Sequence, residues 1–396
     1  MKITDIKTVV VQNPGRTFVN ILVDTDEGLT GLGEAGLQRR WKAIEGGVEH
    51  LKKWLIGEDP TRIEYLWQRM FRGGFYPGDR LIGSAISGID IALWDLRGQT
   101  LGVPVYELLG GRSRDRVECF LQPGYLPDKK EPAKDDLLKS AAVEGDPDAA
   151  ADLARRCLEA GHRYFRLGPN LGKEYFDPRE AVRKLVAQLR AVRKAVGDDL
   201  ELMVDLHARL DPPDAVWFCK QVEPLGLFVV EDPIRSEHRE GYRHIRRQTS
   251  VPLAAGEQWA NKWEFAQAIE EELVDFVRVD ICIAGGITEA KKIAAMAEAH
   301  LIRTLFHNPL GPVCTAASLH LDVACSNAGP QEVLFPPAQA LPDVYECDFE
   351  LSGYELSLPN KPGIGVRMNL EAAKNHPGEM TEPPHYHRRD GGYTNY

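Results

Sequence analysis

Asp205, Glu231, Glu257, Asp280, His307 and Glu332 follow one another at steps of 26, 26, 23, 27 and 25 residues. The three leading carboxylates sit in VDLH, VVEDP and AAGEQ, each after a short apolar run. Carboxylate oxygens are the donors that a hard divalent cation such as Mg²⁺ takes, and such a cation keeps further positions for water or substrate. A single acid of this kind reads as solvated or ion-paired, but three brought together would repel strongly without a cation. His207 follows Asp205 by two positions, so strand alternation points both side chains the same way. Asp280 ends RVD and His307 ends TLFH; on adjacent strands, about 4.8 Å apart, the carboxylate reaches the imidazole. It would orient that ring and favour its protonated form, which makes a proton-transfer pair. The chemistry on offer is a metal site with a base beside it.

One strand and one helix per step is the repeat of a (β/α)₈ barrel, whose C-terminal strand ends converge on one mouth. The alternation begins near Val117, with strand ends at Leu121, Leu167, Asp205, Glu231, Glu257, Asp280, His307 and Glu332. Helical patterns lie at about 148–160, 178–195, 212–223, 238–248, 262–271, 287–299 and 312–325. Ahead of them stand three strand-like runs, KITDIKTVVVQ, TFVNILVDTDEG and TGLGEAG, then helices at about 42–56, 61–72 and 80–98. Strands followed by helices form a separate α+β unit. Beyond residue 340 come CDFELSG, YELSLP and a PGIGV turn. The expected organisation is therefore an α+β segment at 1–116, the barrel at 117–340 and a segment at 341–396 that packs back on the first. The histidines of the tail from 374, His376, His385 and His387, could bind metal, but the stretch reads rather as a partly ordered, solvated tail. The polar stretch from Pro123 to Pro147 would project over the barrel mouth.

With 48 basic and 59 acidic residues in 396, the net charge of −11 argues against nucleic-acid or membrane-surface partners. An anionic substrate must then be held locally, most simply by a cation. Seven scattered cysteines without CxxC pairs suggest reduced core thiols in a cytoplasmic protein. The first residues alternate as a strand does and do not read as a signal peptide. No apolar run reaches the roughly 18 residues of a membrane span.

VDLH, VVEDP, AAGEQW, RVDICIAGGITEAKKIAAMAEAH and FHNPLGP, with AISGIDIALWDLRGQTLGVPVYELLGG and PGIGV, resemble the mandelate racemase subgroup of the enolase superfamily. The similarity is strongest to its acid-sugar dehydratases and covers nearly the whole chain. It implies an N-terminal α+β capping domain over a modified (β/α)₇β barrel and Mg²⁺ on Asp205, Glu231 and Glu257. It further implies His307 with Asp280 as the base, His207 as the general acid, Glu332 near a substrate carboxylate, and a homo-oligomer.

Racemases of this group carry a Lys-x-Lys at the second strand, and its second lysine is a base. Here Arg166 takes the first place and Gly168 the second. That absence favours dehydration, which needs one base and one acid, over racemisation, epimerisation or cycloisomerisation. A non-catalytic sugar-acid-binding relative is the other alternative. The implied reaction takes an aldonate such as galactonate, gluconate or mannonate to a 2-keto-3-deoxy acid. Arg166 and Arg209 are further candidates for substrate contact. Specificity would come from loops near Asn13–Asn20, Phe71–Arg80 and 123–147.

Overall fold

The computed structural model describes residues 1–121, 145–169, 175–382 and 385–395. They form two compact units. One comprises Met1–Cys119, Glu257–Gln267 and Arg278–Glu382; the other comprises the described parts of Phe120–Gly256, Ala268–Val277 and Pro383–Tyr396. Among the described residues no helix is long and apolar enough to cross a membrane.

The first unit opens with an antiparallel sheet of β1 (Ile3–Asn13), β2 (Arg16–Thr25) and β3 (Thr30–Ala35), in that spatial order. Pro14 and Gly15 alone join β1 to β2, with Asn13 paired to Arg16 and Gly15 at φ +80°. Proline and glycine favour such a tight turn. Most of Asn13–Asn20 is thus strand, and the specificity loop expected around it is confined to the Pro14–Gly15 turn. Helices α1 (Trp41–Leu55), α2 (Ile63–Arg72) and α3 (Arg80–Leu101) follow. The Asp79 carboxylate caps α3 by accepting from the Leu81 and Ile82 N–H groups, and Gly102 ends it at φ +70°. Glycines let α3 lie close on β3: a Cβ at Gly33 would come within 1.9 Å of the Gly88 carbonyl oxygen.

Helix α3 also carries two buried acids that fasten later segments. Asp90 accepts from the N–H and hydroxyl of Thr288, at 3.0 and 2.6 Å, at the start of the helix Gly286–Ala299. Asp95 accepts from the N–H groups of Leu32 on β3 and Ile364 in the PGIGV turn, both at 2.9 Å. Burial pushes Asp90 up to about 7 and Asp95 to about 6 against these bonds. Tyr345–Cys347 pairs antiparallel with Val366–Met368, and Pro377 bridges to Val11.

The second unit is built on parallel strands. Tyr164–Leu167, Glu201–Asp205, Val229–Glu231, Leu253–Ala255 and Phe276–Val277 lie side by side in chain order. Helices Pro147–Glu159, Pro178–Val196 and Pro212–Val222 each begin at an Asp-Pro pair. Aspartate suits the N-cap, and proline, which lacks an N–H, suits the first helical position. The helix expected at 238–248 is shorter, Gly241–Arg246 after a 3₁₀ turn at Ser236–His238. A Cβ at Gly241 would lie 2.7 Å from both Ile234 and His238, so the chain is packed tightly at its start.

Three expected strand ends overshoot the ladders. The strands stop at Ala255, Val277 and Thr304, so Glu257, Asp280 and His307 lie two or three residues beyond. Gly256 at φ +131° turns the chain out of its ladder, and Asp280 and His307 meet in a single parallel bridge. The tail differs more. Tyr386–His387 and Tyr393–Asn395 form an antiparallel hairpin that belongs to the second unit. The 123–147 stretch lies, but for its last three residues, outside the described residues.

Candidate functional site

Asp205 and Glu231 are register partners across adjacent parallel strands, which puts their side chains together at one edge of the sheet. Asp232 follows Glu231, and its carboxylate accepts from the Gly256 N–H at 3.2 Å, fixing the turn that presents Glu257. Ligand oxygens of Asp205, Glu231 and Glu257 lie within 4.8 Å of one another, and all three residues are buried. Three buried hard donors this close are a fitting set for Mg²⁺. The Arg166 Nη1 lies 3.5 Å from both Asp205 and Glu231, with its guanidinium over the Phe120 ring. One arginine offsets part of the charge of that carboxylate pair.

His307 sits between two carboxylates. Its Nδ1 is 2.8 Å from Asp280 Oδ2, and its Nε2 is 3.3 Å from Glu257 Oε2. Asp280 is itself held, accepting from the Cys282 N–H at 2.8 Å. Burial works to lower the His307 pKa, but the charge of Glu257 and the bond to Asp280 outweigh it and raise it to about 9. A cation on Glu257 would cancel part of that pull and return the imidazole toward the neutral, basic form.

His207 lies in the turn after Asp205, with its own φ at 50° and that of Ala208 at 54°. Two successive non-glycine residues in the left-handed region mark a strained turn. The backbone N–H of His207 donates to Asp205 Oδ1 at 3.0 Å, and its Nε2 lies 3.1 Å from Asp205 Oδ2. Arg209, buried, holds Nη1 3.2 Å from His207 Nδ1.

Glu332 is buried and bound through Oε2 by Arg278 Nη2 at 2.6 Å and by the Asn308 N–H at 3.1 Å. Sequence reasoning missed Arg278, which is fully buried and also donates to the carbonyls of Leu305 and Phe306. The signal was a charged residue in the apolar run FVRVD, two positions before Asp280. It also missed Glu34 on β3. That carboxylate is wholly buried and accepts from the Gly311 and Cys314 N–H groups at 3.0 and 2.9 Å, at the start of the helix Pro312–Ala324. Burial raises its pKa to about 7.

Comparison with known proteins gives the family. Residues 3–110 match the mandelate racemase / muconate lactonizing enzyme N-terminal domain, and residues 149–373 match the enolase C-terminal domain-like family. The chain belongs to the mandelate racemase / muconate lactonizing enzyme family of the enolase superfamily. This family member is 38% identical over 373 residues, 92% of each chain, to a D-galactonate dehydratase of Ralstonia pickettii. It is 39% identical over 381 residues to that of Variovorax paradoxus, covering 94% of this chain and 93% of the relative. An enolase from Pantoea ananatis, solved with bound D-gluconate and Mg, superposes with a TM-score of 0.90 at 31% identity over 100% of each chain. A putative galactarate dehydratase from Agrobacterium radiobacter, solved with Na and L-malate, gives 0.85 at 29% over 100% of each. The fold is accordingly an N-terminal domain with a barrel-type α/β domain. The enzyme is a carbon–oxygen lyase, a hydro-lyase.

Proposed function

We propose that this protein is a Mg²⁺-dependent dehydratase of a sugar acid, an aldonate such as galactonate, gluconate or mannonate, and that it forms a 2-keto-3-deoxy acid. One observation carries the reading: two histidines each lie against one member of the clustered carboxylates, His307 against Glu257 and His207 against Asp205. Dehydration needs two proton carriers, one to take the α-proton and one to give a proton to the departing hydroxyl. Mg²⁺ held by Asp205, Glu231 and Glu257 supplies stabilisation for the negative charge that develops next to the substrate carboxylate. His307, oriented by Asp280, takes the proton from C2. His207 protonates the 3-hydroxyl, the C3–O bond breaks, water leaves, and the resulting enol becomes the 2-keto acid. Arg166, Arg209 and Glu332 are assigned to substrate contacts. Gly168 stands where a second base would be needed for racemisation.

The reading takes 1–116 as the capping domain, 117–340 as the catalytic domain and 341–396 as the closing segment. It also places the protein in the cytoplasm, in keeping with seven free cysteine thiols.

Proton NMR of an aldonate in D₂O tests the roles. His307→Asn should stop both α-hydrogen exchange and dehydration. His207→Asn should suppress dehydration while exchange continues. General acid–base groups contribute about 10²–10⁴-fold each, so both losses are measurable. Exchange that survives in His307→Asn and vanishes in His207→Asn would reverse the two roles. Dehydration unaffected in both variants would sink the proposal.

A further inference from the structure

The C-terminal hairpin is anchored on three successive loops of the second unit. The Phe176 N–H donates to the His387 carbonyl at 2.9 Å, and the Phe176 ring lies 6.0 Å from that of Tyr386. Arg388 pairs with Asp211 at 3.9 Å. The Arg235 guanidinium donates to the Thr394 carbonyl at 3.2 Å. These anchors follow the strands Tyr164–Leu167, Glu201–Asp205 and Val229–Glu231, which carry Arg166, Asp205 and Glu231 at or near their ends. In parallel strands such loops leave one edge, the edge where barrel enzymes build their sites. The hairpin therefore covers the same edge as the carboxylates of those strands.

From this seat the Tyr386 ring faces the Arg209 guanidinium, 6.0 Å from its centroid, within cation–π reach. Arg209 in turn contacts His207 Nδ1 at 3.2 Å. Arginine has donors only, so Nδ1 offers its lone pair and the neutral ring carries its proton on Nε2; giving that proton up leaves a ring anion against the Arg209 guanidinium. Nε2 is the nitrogen that faces Asp205. The His207 side chain is 38% exposed and its backbone lies in a strained turn.

We propose that the C-terminal hairpin is a working part of the active site, and that Tyr386, acting through Arg209, is the positioning residue that keeps His207 Nε2 turned toward the reacting atoms. The role in turnover rests on the reading of His207 as the proton donor; the contact chain from hairpin to imidazole does not.

The test uses full-length, Mg²⁺-loaded protein labelled with ¹⁵N-histidine, with His207 signals identified by their loss in His207→Asn. Wild type and Tyr386→Phe should show an Nε2-protonated His207 ring. Tyr386→Ala should show the two tautomers averaged; if that variant fails to fold, Tyr386→Leu keeps bulk without the ring face and should behave likewise. With D-galactonate and D-gluconate as probes, losing the ring should slow dehydration about tenfold relative to α-hydrogen exchange, a fraction of a general acid's full contribution. Tyr386→Phe should restore it. His207 signals unchanged in both Tyr386→Ala and Tyr386→Leu overturn the proposal, as does an equal loss of exchange and dehydration. Dehydration that persists in His207→Asn overturns the donor reading instead, and the spectra still report whether the hairpin sets the ring.

Discussion

Three buried carboxylates, Asp205, Glu231 and Glu257, lie close together, and Arg166 stands 3.5 Å from two of them. Binding a cation to the folded chain should therefore raise its stability. At a Mg²⁺ concentration a hundred times its Kd the gain is about 2.7 kcal/mol, readable as a rise in the thermal midpoint. Glu231→Gln, which removes one hard charged donor, should lose most of that rise. A midpoint indifferent to Mg²⁺ in the unsubstituted protein would count against the metal reading. Arg278 poses the complementary problem. Its ion pair with Glu332 is buried on both sides, and removing one partner strands the other charge. Arg278→Met should cost about 3–5 kcal/mol in urea denaturation. A cost below about 1 kcal/mol, the scale of an exposed pair, would show that Glu332 does not depend on it.

Among the elements, β3 couples helix packing to the site through Gly33 and Glu34. Because an added Cβ at Gly33 would meet backbone rather than a movable side chain, Gly33→Ala should destabilise by about 3 kcal/mol, the upper end of ordinary overpacking. Chemical denaturation measures it, and a neutral result would mean that α3 can move off the sheet. Glu34 binds two N–H groups at a helix start, one to each oxygen. Glutamine can accept only one, leaving the other donor buried and unmatched at about 1–3 kcal/mol. The pH dependence has a definite sign. Burial lifts the Glu34 pKa from 4.5 to about 7, so the folded state holds this proton more tightly than the unfolded state. Its contribution is full below 4.5 and is lost as pH rises through about 7. The stability advantage of wild type over Glu34→Gln should shrink across that window in urea titrations. An advantage that grows with pH would show that the carboxylate is already ionised in the folded state.

At the scale of the whole molecule, family resemblance predicts a homo-oligomer. Phe75 and Tyr76, in the segment between α2 and α3, are 86% and 80% exposed and lie edge to face. Large exposed aromatic patches mark contact surfaces, which suits burial between copies. Sedimentation should give a mass that is a multiple of 44.2 kDa, and Phe75→Ser with Tyr76→Ser should lower it. A single 44.2 kDa species at micromolar concentration would contradict the expectation.

The order of elements was legible in the chain because amphipathic periods are local: the helix expected at 178–195 is Pro178–Val196 and that at 80–98 is Arg80–Leu101. The regular spacing of Asp205, Glu231 and Glu257 was equally legible, since one strand and one helix per step bring residues at that interval to one edge. Tertiary structure alone decided what depends on partners distant in sequence. Arg278 reads as an oddity in an apolar strand until Glu332 is beside it, and Glu34 reads as one more acid until the helix Pro312–Ala324 points its N–H groups at it. The tail read as solvated because a Pro-, His- and Gly-rich stretch has no apolar period of its own. Its order comes from Phe176, Asp211 and Arg235, which lie more than 150 residues earlier in the chain and become neighbours only once the strands are assembled.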